Sequence, residues 1–394
     1  MDVSLMKKES CRAWGLSIVS ALAGVIAWSG SMPAIALAIF MPIAVSLQGT
    51  RRHAFITAAA YYIGSTWPIL PGAKAFFGAN VTWIESATLW LTSSLLLAIP
   101  FGLLWTKTIR LRRFGIVCAL LVISLPPVGL VGWASPLTAA GVLFPGTAWL
   151  GLASIAFFCA FCSRGPRLAA GTAGILLLLA QSTYRQPVSP PSWQGVNTNF
   201  GSGFSVASPL MEFQSSEAVQ CIARESLSKV LIFPEMVINR WNDATASFWE
   251  PTLFRLRQAD KTIVIGAGLP IPGQSRSYLN AAIILGRHPS PPFIQRIPVP
   301  IAMWKPFSTT EGVPLRFLGS GTTVVAGQRS AILICYEQLL TWPYIASALE
   351  QPGILIGIAN DYWATGTSIP AAQNACLQAW SRLFGIPYIS ATNT

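Results

Sequence analysis

The run Ser330-Ala331-Ile332-Leu333-Ile334, followed at once by Cys335-Tyr336-Glu337, decides the fold of the second half of this chain. A second apolar run, Val230-Leu231-Ile232-Phe233, leads in the same way into Pro234-Glu235. Short apolar runs that end in polar residues are typical of buried strands in an α/β sheet, where functional side chains gather at the strand ends. The two runs therefore predict a thiol, Cys335, and a carboxylate, Glu235, at the ends of two strands.

The sequence offers few histidines to activate such a thiol. Its two histidines are His53 and His288, and His288 lies in the loop-like sequence Gly286-Arg287-His288-Pro289. A cysteine nucleophile needs a neighbouring base or a positive charge to become a thiolate. We therefore expect activation by a carboxylate and a lysine.

The composition divides the chain into two halves. Its 394 residues are 53% hydrophobic and only 10% charged, which is too apolar for a protein that is soluble throughout. Residues 1–183 contain three acidic side chains, whereas residues 184–394 carry 14 Lys and Arg against 11 Asp and Glu. We predict a transmembrane helical bundle over residues 1–183, a linker rich in proline and serine over 184–192, and a folded domain over 193–394.

Seven segments of the first half are apolar enough to span a bilayer. They cover roughly residues 13–29, 31–48, 54–71, 86–106, 114–131, 140–162 and 168–183. Basic residues cluster in every second gap between these segments: Lys7, Lys8 and Arg12; Arg51 and Arg52; Lys107, Arg110, Arg112 and Arg113; Arg164 and Arg167. By the positive-inside rule, the N-terminus is cytoplasmic and residues 184–394 lie outside, in the periplasm if the membrane is a bacterial inner membrane.

These inside-facing basic residues also account for most of the formal net charge of +12. Nucleic-acid binding is not needed to explain the charge, and no nucleic-acid partner is predicted. A transporter is a weak alternative, because the predicted spans contain almost no ionisable side chains.

The second half alternates strand-like and helix-like segments, as an α/β domain does. Strand-like runs lie at 194–200, 229–234, 262–267, 279–285, 330–335, 353–358 and 386–391. Helical periodicity covers 215–227, 246–258, 339–349 and 370–384. Three strand ends carry polar residues: Glu235, Cys335 with Glu337, and Asn360-Asp361-Tyr362-Trp363. Taken singly, each has an ordinary interpretation: a core cysteine, a surface carboxylate and a turn.

Taken together, these motifs resemble the nitrilase (carbon–nitrogen hydrolase) superfamily, and within it the apolipoprotein N-acyltransferase branch. The resemblance rests on Phe233-Pro234-Glu235, Ile334-Cys335-Tyr336-Glu337, Asn360-Asp361-Tyr362-Trp363 and Ser390-Ala391-Thr392-Asn393, in that order. It implies an αββα sandwich, the nitrilase-like fold, attached to a bundle of membrane helices. The chain is also similar to divergent relatives of this acyltransferase that serve plasmid conjugation.

The resemblance implies a catalytic triad of cysteine, glutamate and lysine. Cys335 would be the nucleophile that forms an acyl-thioester, Glu235 would take its proton, and a lysine would stabilise the oxyanion. Depending on the alignment, Gln295, Arg296 or Lys305 occupies the lysine position. We favour Lys305, the only lysine between Lys261 and the C-terminus.

Further side chains are expected to support this site: Glu337, Tyr336, Glu311, Asn360, Asp361 and Trp363. Glu337 would position the nucleophile or, alternatively, bind nearby backbone amides. Tyr336 and Trp363 would line an acyl-binding wall or belong to the aromatic core. No zinc-ligand spacing and no phosphate-binding glycine motif occurs, so neither a metal nor a cofactor is predicted.

The resemblance thus implies a membrane-anchored, externally facing acyltransferase or amidase that serves plasmid conjugal transfer. Its partners would be a membrane lipid as acyl donor, an amine-bearing envelope protein or water as acceptor, and components of the conjugation apparatus. The alternative is an envelope component of that apparatus that kept the fold and lost the chemistry. The acyltransferase branch continues into a final membrane helix, whereas this chain ends at Thr394, so we expect the domain to be anchored on one side only.

Overall fold

The computed structural model describes residues 3–161, 166–201, 209–308 and 310–394. The chain forms two compact units. Unit 1 comprises residues 1–186, 339–342 and 366–385, and unit 2 comprises residues 187–338, 343–365 and 386–394. Each unit is described by itself below.

Unit 1 is helical. Its helices are α1 (Val3–Ala27), α2 (Phe40–Ser46), α3 (Arg51–Thr66), α4 (Ile69–Phe77), α5 (Trp83–Leu104), α6 (Ile109–Ser124), α7 (Ala139–Leu143), α8 (Trp149–Phe161), α9 (Pro166–Thr183) and, from late in the sequence, α13 (Ile369–Phe384). A 3-10 helix, Met32–Ile39, precedes α2. Within this unit α13 packs against α7 and the 3-10 helix.

Two helices in the described part of the chain are long and apolar enough to cross a membrane, over Ser10–Ala27 and Trp83–Leu104. Shorter apolar helices cover Met32–Ser46, Trp149–Phe161 and Ala173–Thr183. The sequence predicted seven spans, and that number stays a prediction. Arg164, which was assigned to a cytoplasmic gap, lies outside the described residues.

Helices α1 and α3 approach each other closely because each carries a glycine at the contact. A side chain at Gly24 would collide with the backbone at Tyr61, and one at Gly64 would collide with the backbone at Ala21. Small residues that let two backbones approach are typical of helix pairs in membranes. Beside this contact Trp28 Nε1 donates to Tyr61 Oη at 2.9 Å, which satisfies a buried polar group.

Unit 2 is built on two mixed sheets with helices. Its elements are β1 (Trp193–Gly195), α10 (Pro209–Glu225), β2 (Val230–Ile232), α11 (Asp243–Gln258), β3 (Thr262–Ile271), β4 (Gln274–Gly286), β5 (Ser290–Ile294), β6 (Glu311–Gly312), β7 (Thr323–Val325), β8 (Gln328–Ile334), α12 (Thr341–Leu349), β9 (Ile354–Asn360) and β10 (Tyr388–Asn393). The first sheet has the order β1-β2-β3-β4-β5, with β6 paired to β4, and the second has the order β10-β9-β8-β7.

The two sheets face each other across an apolar core. Ile232, Val264 and Ile284 of the first sheet belong to the same buried cluster as Ile332 and Ile356 of the second. On the outer face of the first sheet, α10 and α11 form a second buried cluster through side chains that include Val219, Trp249 and Leu253. A helix layer and two stacked sheets are therefore present within unit 2.

Parallel pairing brings several strand ends to one edge of the second sheet. Strands β8, β9 and β10 run parallel, with Ile334 paired to Ile358 and Asn360 paired to Asn393. Because the carboxyl ends of parallel strands meet at the same edge, Cys335 and Asn360 leave the sheet on the same side. The predicted strand-end residues are thus collected at one place.

Candidate active site

Cys335 sits at a tight turn directly after strand β8. It begins the 3-10 helix Cys335–Leu339 and has a φ of 51°, in the left-handed region that residues other than glycine rarely adopt. Its side chain is buried. Such a backbone conformation costs about 1–3 kcal/mol and persists where the surrounding structure enforces it, often at functional sites. The turn holds the sulfur at the end of the strand.

Glu235 reaches the same place from the first sheet, beyond Phe233 and Pro234 at the end of β2. Its backbone passes so close to β3 that a side chain at Gly266 would collide with Pro234 and Glu235. The carboxylate is buried, forms a hydrogen bond with the Cys335 thiol and accepts from the backbone N–H of Asn360 at 3.0 Å. The structure therefore joins the predicted base to the predicted nucleophile.

Burial controls the protonation of both groups. Removal from water raises the pKa of Glu235 to about 7, although its hydrogen bonds from Asn280, Cys335 and Asn360 favour the charged form. Burial also raises the pKa of the Cys335 thiol well above its usual value, and the nearby Glu235 and Asp361 carboxylates raise it further. The resting thiol is therefore protonated, and Glu235 is the carboxylate placed to accept its proton.

Two amide side chains connect Glu235 to strand β8: Asn280, which the sequence analysis did not single out, and Gln295. Asn280 of β4 donates from Nδ2 to Glu235 Oε1 at 2.6 Å and to Gln295 Oε1 at 2.9 Å. Gln295 in turn donates from Nε2 to the carbonyl oxygen of Ile334 at 3.1 Å. The sequence had offered Gln295 as one of three alternatives for the lysine position, and it lies closer to the site network than the favoured Lys305.

The hydroxyl of Tyr278, two residues before Asn280, also belongs to this environment. Burial, together with the nearby Glu235 and Cys335, raises the pKa of Tyr278 to about 12. Asn280 interrupts the apolar pattern of the predicted strand 279–285, and Tyr278 directly precedes that strand. That interruption was the one signal in the sequence that could have drawn attention to them.

The carboxylate of Glu337 binds backbone N–H groups from two segments of unit 2. Its Oε1 accepts from the backbone N–H groups of Arg296 and Ile297 at 2.8 and 3.1 Å, and its Oε2 accepts from that of Ile334 at 3.0 Å. Arg296 Nε lies 3.3 Å from the same carboxylate in an ion pair that is almost fully buried. Glu337 thus connects the residue before Cys335 to the segment that follows β5.

Lys305 lies elsewhere in unit 2. Its Nζ forms an ion pair with Glu311 at 2.9 Å, and Glu311 also pairs with Arg276 at 2.8 Å. Lys305 is half-exposed, and in the described part of the chain no hydrogen bond or ion pair joins it to Glu235 or Cys335. The structure therefore brings Glu235 and Cys335 together but places Lys305 and Glu311 in a surface cluster.

The remaining predicted residues follow the second sheet. The backbone N–H of Asn360 donates to Glu235, and the side-chain oxygen of Asn360 accepts from Asn393 Nδ2 at 2.8 Å. Asp361 is buried and its charge acts on Cys335. Tyr336 and Trp363 are partly buried, Tyr336 next to Cys335 and Trp363 in the 3-10 turn Tyr362–Ala364. No group of three or more metal-ligating side chains occurs among the described residues.

Curated relatives match this chain from end to end, although no protein-family model matches it. It is 30% identical over 408 residues to the conjugal transfer protein TraB of Agrobacterium fabrum, an alignment that covers 99% of this chain and 95% of that protein. The chain belongs to the TraB family. It is also 30% identical to a probable conjugal transfer protein TraB of Sinorhizobium fredii, with 99% of this chain and 100% of that protein covered.

One solved structure resembles this TraB-family chain, but more distantly than the relatives above. It is a variant of an amidase of the nitrilase superfamily from Nesterenkonia, 14% identical, with a TM-score of 0.34 over 50% of this chain and 74% of the amidase. A likeness this distant carries no argument about the site. The assignment to the TraB family rests on the full-length relatives.

Proposed function

We propose that this TraB-family chain is a membrane-anchored protein of plasmid conjugal transfer whose unit 2 transfers or hydrolyses acyl groups through a cysteine thioester. The observation that carries the proposal is the strained turn at Cys335, with its thiol hydrogen-bonded to the buried carboxylate of Glu235. A structural core cysteine needs neither the strained backbone nor a carboxylate partner.

The chemistry begins with Glu235 as the general base. Its carboxylate accepts the Cys335 proton while the sulfur attacks the carbonyl carbon of an ester or amide donor. The tetrahedral intermediate then collapses, the protonated Glu235 gives its proton to the leaving group, and a thioester remains on Cys335. An amine or water attacks the thioester, Glu235 accepts the proton of the attacking group, and the thiol takes a proton back as it leaves.

The proposed donor is a membrane lipid, and the proposed acceptor is an amine-bearing envelope protein or water. Support for contact with lipid comes from unit 1, whose helices expose apolar faces that water would not favour. The exposed side chains include Ile18, Val19, Leu22, Val25 and Ile26 of α1, and Leu91, Leu95, Leu96, Ile99 and Leu103 of α5. We propose that these faces lie in the inner membrane as part of the seven-span bundle.

Intact-mass spectrometry of the detergent-solubilised protein, incubated with phospholipid, tests the proposal. We expect an acyl adduct on the wild type that neutral hydroxylamine removes, as it removes thioesters. The adduct should be absent from Cys335→Ala. The matched control is Cys221→Ala, which removes a partly exposed cysteine on α10 and should keep the adduct.

A second function is favoured by one observation about charge. The ionised groups that act on Cys335 are the carboxylates Glu235 and Asp361, which oppose its ionisation. This suits a TraB-family envelope component of the conjugation apparatus that kept the fold without the chemistry. Failure of folded wild-type protein to form any adduct with phospholipid, short-chain ester and short-chain amide donors would overturn the enzyme proposal and favour this second function.

A further inference from the structure

The side-chain amides of Asn280 and Gln295, which lie beside Glu235, have a fixed orientation. A backbone carbonyl oxygen can only accept, so Gln295 must direct its Nε2 toward the oxygen of Ile334 and its Oε1 away from it. That Oε1 accepts from Asn280 Nδ2, and the same nitrogen donates to Glu235. The backbone of strand β8 thereby determines that Asn280 presents an N–H group to the carboxylate.

This orientation leaves one acceptor unpaired. Asn280 Oδ1 is buried and has no hydrogen-bond partner among the described residues. An unsatisfied buried polar atom usually destabilises a fold. The opposite orientation would place this oxygen against the oxygens of Glu235 and Gln295, with no proton between them if Glu235 is ionised. The arrangement keeps a donor aimed at Glu235 at the expense of stability.

The groups that favour the ionised form of Glu235 are neutral hydrogen-bond donors, not positive charges. Glu337 acts on it as a like charge, and the groups that favour its carboxylate form are Asn280, the Cys335 thiol and the backbone N–H of Asn360. None of these three is a cation. The hydrogen bond from the Asn280 amide to the carboxylate, at 2.6 Å, is shorter than the one from the Asn360 backbone N–H, at 3.0 Å. Neutral donors of this kind lower the free energy of the charged form.

Among the residues that the structure describes, the other titratable groups that face the site do not supply a cation either. Tyr278 from β4 acts on both Glu235 and Cys335, and Asp361, after β9, acts on Cys335. The guanidinium of Arg296 is committed to Glu337 in a buried ion pair. Hydrogen bonds from the amides are therefore what can favour the ionised form of the Glu235 carboxylate.

We infer that Asn280 is a positioning residue that holds the Glu235 carboxylate ready to accept the Cys335 proton, and that Gln295 orients Asn280 for this task. The inference rests on the proposed function, because it takes Cys335 and Glu235 as nucleophile and base. A lysine was expected to help activate the Cys335 thiol, whereas here a pair of neutral amides acts on the base that would take the proton of that thiol. The fraction of Glu235 that is ionised, and so able to accept a proton, then depends on pH and on these two side chains.

The rate of Cys335 alkylation by iodoacetamide, followed by peptide mass spectrometry between pH 5.5 and 9.5, tests the inference without any substrate of the proposed enzyme. In this reaction the sulfur–carbon bond forms, iodide leaves and Glu235 takes the proton. We expect the wild-type rate to rise through a midpoint near pH 7, where Glu235 loses its proton. In Asn280→Leu the midpoint should move up by about one pH unit or more, because a donor to the carboxylate is lost.

A variant with the opposite expected sign separates electrostatics from simple structural damage. In Gln295→Lys the ammonium group can still donate to Ile334 and brings a positive charge to the network, so the midpoint should move to lower pH. Gln220→Leu is the matched control, because it removes a buried amide between α10 and α11, where it accepts from Thr252. Its profile should coincide with that of the wild type.

The outcomes distinguish this inference from the proposed function. If Asn280→Leu and Gln295→Lys both keep the wild-type midpoint while Glu235→Gln abolishes the step near pH 7, the inference is overturned and the nucleophile–base pair stands. If Glu235→Gln keeps the step, the pair itself fails, and the proposed function fails with it. Should Cys335 resist alkylation in the wild type, infrared titration of the Glu235 carboxyl group, assigned by difference from Glu235→Gln, measures the same midpoints.

Discussion

Cys335 and Glu235 form a pair whose two protons are coupled. With the pKa of Glu235 near 7 and that of the thiol raised well above its usual value, the pair loses its first proton from the carboxyl group. Below pH 7 the carboxyl is neutral and cannot act as a base. Above pH 7 the carboxylate is present, and proton transfer from the thiol can accompany attack by the sulfur.

Adduct formation by the wild type should therefore increase through a midpoint near pH 7 and level off above pH 8. Below the midpoint the rate should fall about tenfold per pH unit, as expected for a single required deprotonation. Single-turnover mass spectrometry between pH 5.5 and 9 measures this profile. Glu235→Gln should slow the reaction by about 10²–10⁴-fold, and a flat wild-type profile between pH 6 and 8 would contradict the assignment of Glu235 as base.

Lys305 provides a second test at the residue scale, because its predicted role and its observed contacts differ. It pairs with Glu311 near the surface, and an exposed ion pair of this kind contributes about 1 kcal/mol or less. We expect Lys305→Ala to form the adduct within about twofold of the wild-type rate. Arg276→Ala, which removes the other partner of Glu311, is the control.

A different result for Lys305 would restore the triad that the sequence predicted. If Lys305→Ala loses more than about 100-fold in rate while its melting temperature is unchanged, the lysine takes part in the reaction step. Melting followed by tryptophan fluorescence in detergent provides the stability comparison. The same loss in Arg276→Ala would instead point to the surface cluster as a whole.

Among the elements, strand β8 depends on the carboxylate of Glu337 at its carboxyl end. Glu337 binds the backbone N–H of Ile334 and neutralises the buried Arg296. Glu337→Ala leaves a buried cation and several unpaired N–H groups, so we expect a loss of about 3–5 kcal/mol in unfolding free energy. Urea unfolding of the detergent-solubilised protein, followed by tryptophan fluorescence, measures this loss.

The double variant Arg296→Met with Glu337→Met serves as the control for that experiment. Removing both charges leaves no unpaired ion in the interior, so the double variant should be more stable than Glu337→Ala. Equal stability of the wild type and Glu337→Ala would show that Glu337 does not support the turn at Cys335. In that case the strained conformation of Cys335 would require another cause.

How well the sequence predicted each element depended on its position in the sheets. Strands β2 and β9, and β8 from Ser330 onward, are buried on both faces, so their apolar runs and polar ends were recognisable. Strand β5 was missed because Ser290-Pro291-Pro292-Phe293-Ile294 contains two prolines, which argue against a strand. It is an edge strand, where proline is tolerated.

Within the site, the residues that follow apolar strands were predictable and those inside a strand were not. Glu235 and Cys335 follow apolar runs, and that local pattern identified them. Asn280 lies inside strand β4, and its partners Glu235 and Gln295 come from distant segments, so its role depends on pairing across the sheet. The choice among Gln295, Arg296 and Lys305 likewise depended on which side chain turns inward after β5, which residue spacing does not specify.

For the whole molecule, the decisive question is the side of the membrane on which unit 2 lies. Basic residues cluster in alternate gaps of the first half, and the described helices include two that are long and apolar enough to span a bilayer. An acyl donor taken from the outer leaflet of the inner membrane and an envelope acceptor both require unit 2 outside the cytoplasm. Topology therefore limits which substrates the proposed chemistry can reach.

Alkaline phosphatase, which folds to an active enzyme only after export, reports this topology when it is fused at chosen residues. We expect activity from fusions after Asn80 and Thr394, which the positive-inside rule places outside, and none from a fusion after Thr108, which follows Lys107. Green fluorescent protein at the same three sites should give the reverse pattern, because it fluoresces when it folds in the cytoplasm. An inactive phosphatase at Thr394, together with an active one at Asn80, would mean an even number of crossings and a cytoplasmic unit 2. The acyl donor and acceptor would then have to be cytoplasmic.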